Sequence, residues 1–157
     1  MSNSSTAGAK VDEKRLWQRH MDMAELGKTP KGGVRRLALT DLDADARAKL
    51  MDWGNKRGFK SYIDPIGNFF VRREGTDPSL PPVMSGSHSD TQPSGGRFDG
   101  IYGVLAAFEA LEAIDDAGIQ TKRAIEATIW TCEEGGARFP LGTMGSSVFA
   151  GTNKLDD

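Results

Sequence analysis

The stretch Val83-Met84-Ser85-Gly86-Ser87-His88-Ser89-Asp90-Thr91, then Gly95-Gly96-Arg97-Phe98-Asp99-Gly100, decides how this chain is read. An apolar run leads into a histidine motif. A glycine-flanked aspartate then stands at the mouth of a helix expected over Ile101 to Ala117. The buried stripe of that helix is Val104, Ala107, Phe108, Leu111 and Ile114, with Glu109, Glu112 and Asp115 facing water. A strand from Ile125 to Cys132 follows and leads into Glu133-Glu134. Strand, helix and strand in this order predict an α/β fold with a largely parallel, helix-covered sheet. In open sheets of this kind, ligands gather beyond the carboxyl ends of the strands. His88, Asp99 and the glutamate pair can therefore converge on one crevice.

Upstream of this stretch the spacing predicts two helices. The first runs from Val11 to Leu26, with Leu16, Trp17, Met21, Met23 and Leu26 at roughly helical spacing and Gly27 just past its end. Lys28 to Arg36 reads as a basic, glycine-containing loop. Thr40 is an N-cap, with Asp43 three residues on as a weak capping box. The second helix runs from about Asp41 to Arg57, buries Leu42, Ala46, Leu50 and Trp53, and ends at Gly58. Phe59 to Ile63 and Phe69-Phe70-Val71, joined by the turn Pro65-Ile66-Gly67-Asn68, read as a hairpin or meander. A last helix begins near Met144.

Composition narrows the function classes. A chain of 157 residues is normally one domain with a real core. A net charge of −2 gives no electrostatic footprint for nucleic acid or an anionic membrane, so neither is expected as a partner. No apolar run reaches transmembrane length. Residues 1–10 are expected as a disordered tail rather than a secretory signal. The single cysteine excludes an internal disulfide and points to a reducing, cytoplasmic setting.

The polar residues have chemical readings beside plainer ones. Histidine, aspartates and glutamates next to glycines suit a hard or borderline divalent metal. His88 and Asp90 leave the same face if the strand continues, so the carboxylate can accept the second imidazole N–H; a surface turn is the plain reading. Asp99 can bridge two cations or simply cap the helix. The glycines around it lack the order and the lysine of a phosphate loop. Glu133 and Glu134 point in opposite directions in extended chain, so one can bind metal while the other handles a proton; otherwise they belong to a solvated loop. Cys132 is a thiolate candidate or a buried inert residue. His20 is structural or exposed, and Arg138 holds an anion or pairs with a local carboxylate.

Together, and in this order, these motifs resemble a family. Gly86-Ser87-His88-Ser89-Asp90-Thr91-Gln92-Pro93, Gly95-Gly96-Arg97-Phe98-Asp99-Gly100 and Glu133-Glu134-Gly135 are similar to those of the metal-dependent amidases: N-carbamoyl-L-amino acid hydrolases, allantoate amidohydrolases and β-ureidopropionase-like enzymes. Aminoacylases and zinc carboxypeptidase and aminopeptidase relatives belong to the same clan. The loop Thr29-Pro30-Lys31-Gly32-Gly33-Val34, the turn Asp64-Pro65-Ile66-Gly67-Asn68 and the segment Gly145 to Gly151 extend the resemblance over nearly the whole chain.

The resemblance implies a three-layer αβα dinuclear zinc hydrolase catalytic domain with two N-terminal helices. Residues 11–157 would be its N-terminal part, without the second domain that closes over substrate and mediates dimerisation. His88, Asp99 and Glu134 are implied as metal ligands, Asp99 bridging. Glu133 is implied as the general base and Asp90 as the residue orienting His88. Two divalent ions, zinc or else manganese, cobalt or nickel, would fill the complete site. The substrate would be a small amide or ureido compound, and the longer relatives homodimers. This chain departs by one extra glycine at Gly135-Gly136, by Cys132 where Asn or Asp is usual, and by the lack of the family's two downstream ligand histidines. The isolated chain is therefore expected to be inactive or nearly so. The alternatives are a non-catalytic metal-binding or partner-pairing remnant, and an aminoacylase or peptidase of the same clan.

Overall fold

The computed structural model describes residues 3–135 and 139–156. Its elements run α1 (Asn3–Gly8), α2 (Glu13–Glu25), α3 (Asp41–Lys56), β1 (Lys60–Ile63), β2 (Phe69–Arg73), β3 (Val83–His88), α4 (Ile101–Asp116), β4 (Ile125–Trp130) and α5 (Met144–Phe149). The short α1 stands where the polar composition predicts a disordered tail. It buries none of its own residues and lies against α4, so its order comes from a neighbour.

Local chemistry sets the helix ends. The Asp12 carboxylate accepts the backbone N–H groups of Lys14 and Arg15 at 2.9 and 3.1 Å and opens α2. Thr40 opens α3 by accepting the Asp43 N–H at 3.4 Å. The Asp43 carboxylate reaches back to the N–H of Leu39, not Thr40, so the expected capping box is offset by one residue. Ala46 and Leu50 are fully buried and Trp53 packs at the core's edge. Leu42 is 37% exposed, against expectation, because Asp43 takes the inward place on that first turn.

The sheet order is β1-β2-β4-β3. β1 with β2 and β2 with β4 are antiparallel, and only β3 with β4 is parallel. The expectation of a largely parallel sheet is therefore corrected to a mixed one. Connection length is the reason. The turn after Ile63 is too short for anything but a hairpin, whereas α4 provides the crossover that parallel β3 and β4 need. Phe69, Val71, Ala127 and Ile129 pack on one face against Leu50, Val104, Leu105, Phe108 and Leu111 of α3 and α4. Each such side chain contributes about 1.5–3 kcal/mol when fully buried. Phe70 lies on the other face, with Tyr62, Trp130 and Phe149 of α5 around it.

The outer face of α4 differs most from the sequence reading. Glu109 and Glu112 are buried rather than facing water. α2 lies over them and brings Arg15 and Arg19 to meet them, and the end of α3 adds Arg57. Arg15 binds Glu109 at 2.6 Å, Arg57 binds Glu112 at 3.0 Å, and Arg19 also pairs with Glu112. Among the described residues, no helix is long and apolar enough to cross a membrane.

Candidate metal centre

The parallel pairing of β3 and β4 places His88 opposite Trp130, so both strands exit at the same edge. His88 ends β3, Glu133 and Glu134 follow β4, and Asp99 immediately precedes Gly100 at the start of α4. One ligand atom each from His88, Asp99 and Glu134 lie within 4.8 Å of one another. One imidazole nitrogen and two carboxylates form a donor set that suits a borderline or hard divalent ion. No other such group of histidine, cysteine and carboxylate side chains occurs among the described residues.

The imidazole is aimed by main chain. His88 Nδ1 lies 2.9 Å from the backbone carbonyl of Asp90, which accepts its N–H and leaves Nε2 as the free lone pair. The Asp90 carboxylate is 3.7 Å from Nδ1, beyond hydrogen-bonding range. It accepts instead the backbone N–H groups of Glu134 and Glu133, at 3.0 and 3.3 Å. The expected link between this carboxylate and His88 is thus corrected: the side chain of Asp90 reaches across to the exit of the neighbouring strand. Gly100, at φ +66°, allows the close approach of the His88 ring, which a Cβ there would overlap. α4 begins at Gly100 with no side-chain cap, so Asp99 is not employed as the helix cap.

The adjacent glutamates occupy different surroundings. Oε1 of Glu133 is buried without a hydrogen-bond partner among the described residues. Oε2 of Glu134 accepts a hydrogen bond from Gln92 Nε2 at 2.6 Å. None of Asp90, Asp99, Glu133 and Glu134 pairs with a lysine or arginine among the described residues. Carboxylates crowded together with no lysine or arginine bonded to them among the described residues, one of them with a buried oxygen unbonded there, fit a cation at this place. Cys132 lies beside them but outside the ligand cluster. It is buried in the left-handed region at φ 54°, and burial, then the negative charge of Asp90, push its thiol pKa up. This matches the inert reading.

Other expectations fall elsewhere. The His20 ring packs between Phe98 and Tyr102, at centroid distances of 5.4 and 5.6 Å, with neither nitrogen bonded among the described residues. It belongs to the packing of α2 on α4. Arg138 and Gly136 lie outside the described residues. Sequence reasoning passed over Gln92 and Arg36. Gln92 lies within the same polar motif as His88 and Asp90, past the end of β3. Arg36 read only as part of a basic loop. It is buried and donates to the carbonyls of Ser89, Leu26 and Met23 at 2.8, 2.8 and 3.0 Å, bracing the chain behind His88.

A mixed α/β sheet with a His/Asp/Glu cluster at its carboxyl edge defines the class: an α/β protein with a candidate divalent-metal centre. Residues 84–156 match the model of Peptidase family M20/M25/M40. The chain is 45% identical over 147 residues to an N-carbamoyl-L-amino-acid amidohydrolase of Rhizobium meliloti, covering 94% of this chain and 35% of that protein. An allantoate amidohydrolase of Bacillus subtilis is 37% identical, over 86% of this chain and 32% of that one. A solved hydantoinase/carbamoylase family amidase from Burkholderia ambifaria superposes with a TM-score of 0.90 at 51% identity, covering 94% of this chain and 36% of the other. The chain thus spans about a third of the length of the relatives it matches.

Proposed function

We propose that this chain carries part of the chemistry of an amidohydrolase that cleaves linear amide C–N bonds, with an N-carbamoyl amino acid or ureido compound as substrate. The names of its relatives support the bond type. The observation that carries the reading is the convergence of His88, Asp99 and Glu134 beside a glutamate with an orphaned oxygen.

His88, Asp99 and Glu134 would hold divalent metal, zinc or manganese. When bound, such an ion polarises a carbonyl and lowers the pKa of water to about 7. Glu133 takes the proton from the attacking water at its free Oε1 and returns it to the leaving nitrogen. Asp90 holds the backbone of both glutamates, so base and ligand keep a fixed separation. The Asp90 carbonyl keeps the imidazole in the tautomer that presents Nε2. With His88 as the one histidine of the cluster, the chain alone binds metal weakly and turns over little substrate.

A chimera tests this reading. Residues of this chain replace the matching third of the Rhizobium meliloti relative, and hydrolysis of an N-carbamoyl-L-amino acid is followed. Activity should vanish on chelation and return with zinc or manganese. Undiminished turnover after exhaustive chelation, or no turnover in a folded, metal-loaded chimera, would overturn it.

A further inference from the structure

Gln92 stands four residues beyond His88, past the end of β3. Its carboxamide makes two contacts with one residue. Nε2 donates to Glu134 Oε2 at 2.6 Å and to the Glu134 backbone carbonyl at 3.2 Å. Both partners are acceptors, so the NH2 end of the amide must face them. The hydrogens of that group diverge at a fixed angle. Anchoring one on the carbonyl aims the other at the carboxylate. The contact therefore sets the direction of the Glu134 side chain as well as its presence nearby.

We infer that Gln92 is a positioning residue for the metal ligand Glu134, holding one carboxylate oxygen so that the other is presented alone to a divalent cation. The inference rests on the metal-centre reading above.

The contact restrains a mobile side chain. A glutamate is rich in rotamers, and fixing it costs conformational entropy. Gln92 carries part of that ordering before any cation arrives.

The contact also preserves charge. A lysine or arginine in the place of Gln92 would hold the carboxylate too, but it would cancel the charge that a cation needs. Each of Arg15, Arg19 and Arg57 does that to the glutamates of α4. The carboxamide donates a hydrogen bond and leaves Glu134 at full charge.

Placement separates Gln92 from its neighbour. Gln92 is exposed, whereas Asp90, two residues earlier, is buried and grips the backbone of the same glutamates. The buried residue fixes the main chain and the exposed one fixes the side chain. A polar contact at an exposed position contributes little to folding. The value of the Gln92 contact therefore lies in what Glu134 does next.

Cobalt(II) binding to the full chain tests this, followed by the visible absorption of the bound ion. Four proteins are compared: the native chain, Gln92→Met, Glu134→Gln, and the double variant. Methionine keeps the length of glutamine and removes the donor. Gln92→Met should weaken cobalt binding by about 10–100-fold, the usual effect of losing a partner of a metal ligand. Its melting temperature without metal should match that of the native chain. Glu134→Gln should weaken binding at least as much, and the double variant no further, because Gln92 acts through Glu134.

If Gln92→Met binds cobalt like the native chain while Glu134→Gln does not, the role of Gln92 is refuted and the metal centre stands. That role is refuted equally if the two defects multiply in the double variant, or if Gln92→Met only lowers the metal-free melting temperature. If the native chain and Glu134→Gln bind cobalt equally, the metal-centre reading itself falls, and this inference with it.

Discussion

Two groups of carboxylates lie on α4 and at its N-terminal end, and they are treated in opposite ways. On its outer face, Glu109 and Glu112 are buried and surrounded by Arg15, Arg19 and Arg57. At its N-terminal end, Asp99 joins Glu133 and Glu134 with no basic partner among the described residues. Arg15 is held protonated well above its ordinary range by its hydrogen bond to Glu109, and the pKa of Arg57 is raised chiefly by its hydrogen bond to Asp116. The first group is neutralised within the fold and serves stability. The second gathers negative charge with no arginine bonded to it among the described residues, an arrangement that costs stability and that a cation would complete. The count of acidic residues is therefore uninformative; what distinguishes the groups is whether an arginine has been supplied.

The largest effect that can test this contrast is kinetic. In the chimera, Glu133→Gln should lower turnover by about 10²–10⁴-fold while metal content stays near native, because its role is proton transfer. Metal loss equal to that of Glu134→Gln would remove the distinction between the two glutamates. Next comes stability. Glu112→Gln takes from Arg19 its carboxylate partner, while Arg15 keeps Glu109 and Asp116 and Arg57 keeps Asp116, so denaturant unfolding should show a loss of about 3 kcal/mol, at the lower end for a broken buried pair. Glu134→Gln, by contrast, should leave the metal-free chain within about 0.5 kcal/mol of native or slightly more stable. Equal losses for the two would erase the contrast.

The smallest expected effect concerns His20. Burial lowers its pKa from the ordinary value of 6.5, so the unfolded chain takes up the proton first as pH falls. Its contribution to stability is full above about pH 6.5 and is lost as pH falls through the lower folded-state value. His20→Leu should flatten the fall in melting temperature between about pH 7 and 5. An unchanged slope would show that another group governs it.

Much of this was legible in the sequence. The periodicity of Val104, Phe108 and Leu111 gives α4, and the turn at Pro65 to Asn68 gives the hairpin. His88, Asp99 and Glu134 come together because two strand exits and one helix start are local features with local signals. What escaped was long-range pairing. Glu109 and Glu112 read as solvent-facing because nothing in their own helix shows that α2 brings Arg15 and Arg19 over them. The antiparallel joining of β2 to β4 escaped for the same reason: these strands are far apart in sequence, and pairing direction leaves no mark in either. Gln92 sits two residues beyond Asp90, past the end of β3, and its contact with Glu134 is long-range and leaves no mark in the sequence. The Asp90 side chain was assigned to the nearest partner in sequence, when its partners lie across the sheet edge.

The contrast between the two groups is tested most directly by the melting temperature of Asp99→Asn against the native chain, each with and without zinc. A ligand that binds only the folded state raises stability in proportion to RT ln(1 + [L]/Kd), so the shift reports the site without any need for turnover. The native chain should gain several degrees in millimolar zinc. Asp99→Asn should gain none, and in the absence of zinc it should melt at or above the native temperature, because an unbalanced charge has been removed. An undiminished zinc shift in Asp99→Asn, or a metal-free melting temperature as low as that of Glu112→Gln, would contradict the assignment of these carboxylates to a cation.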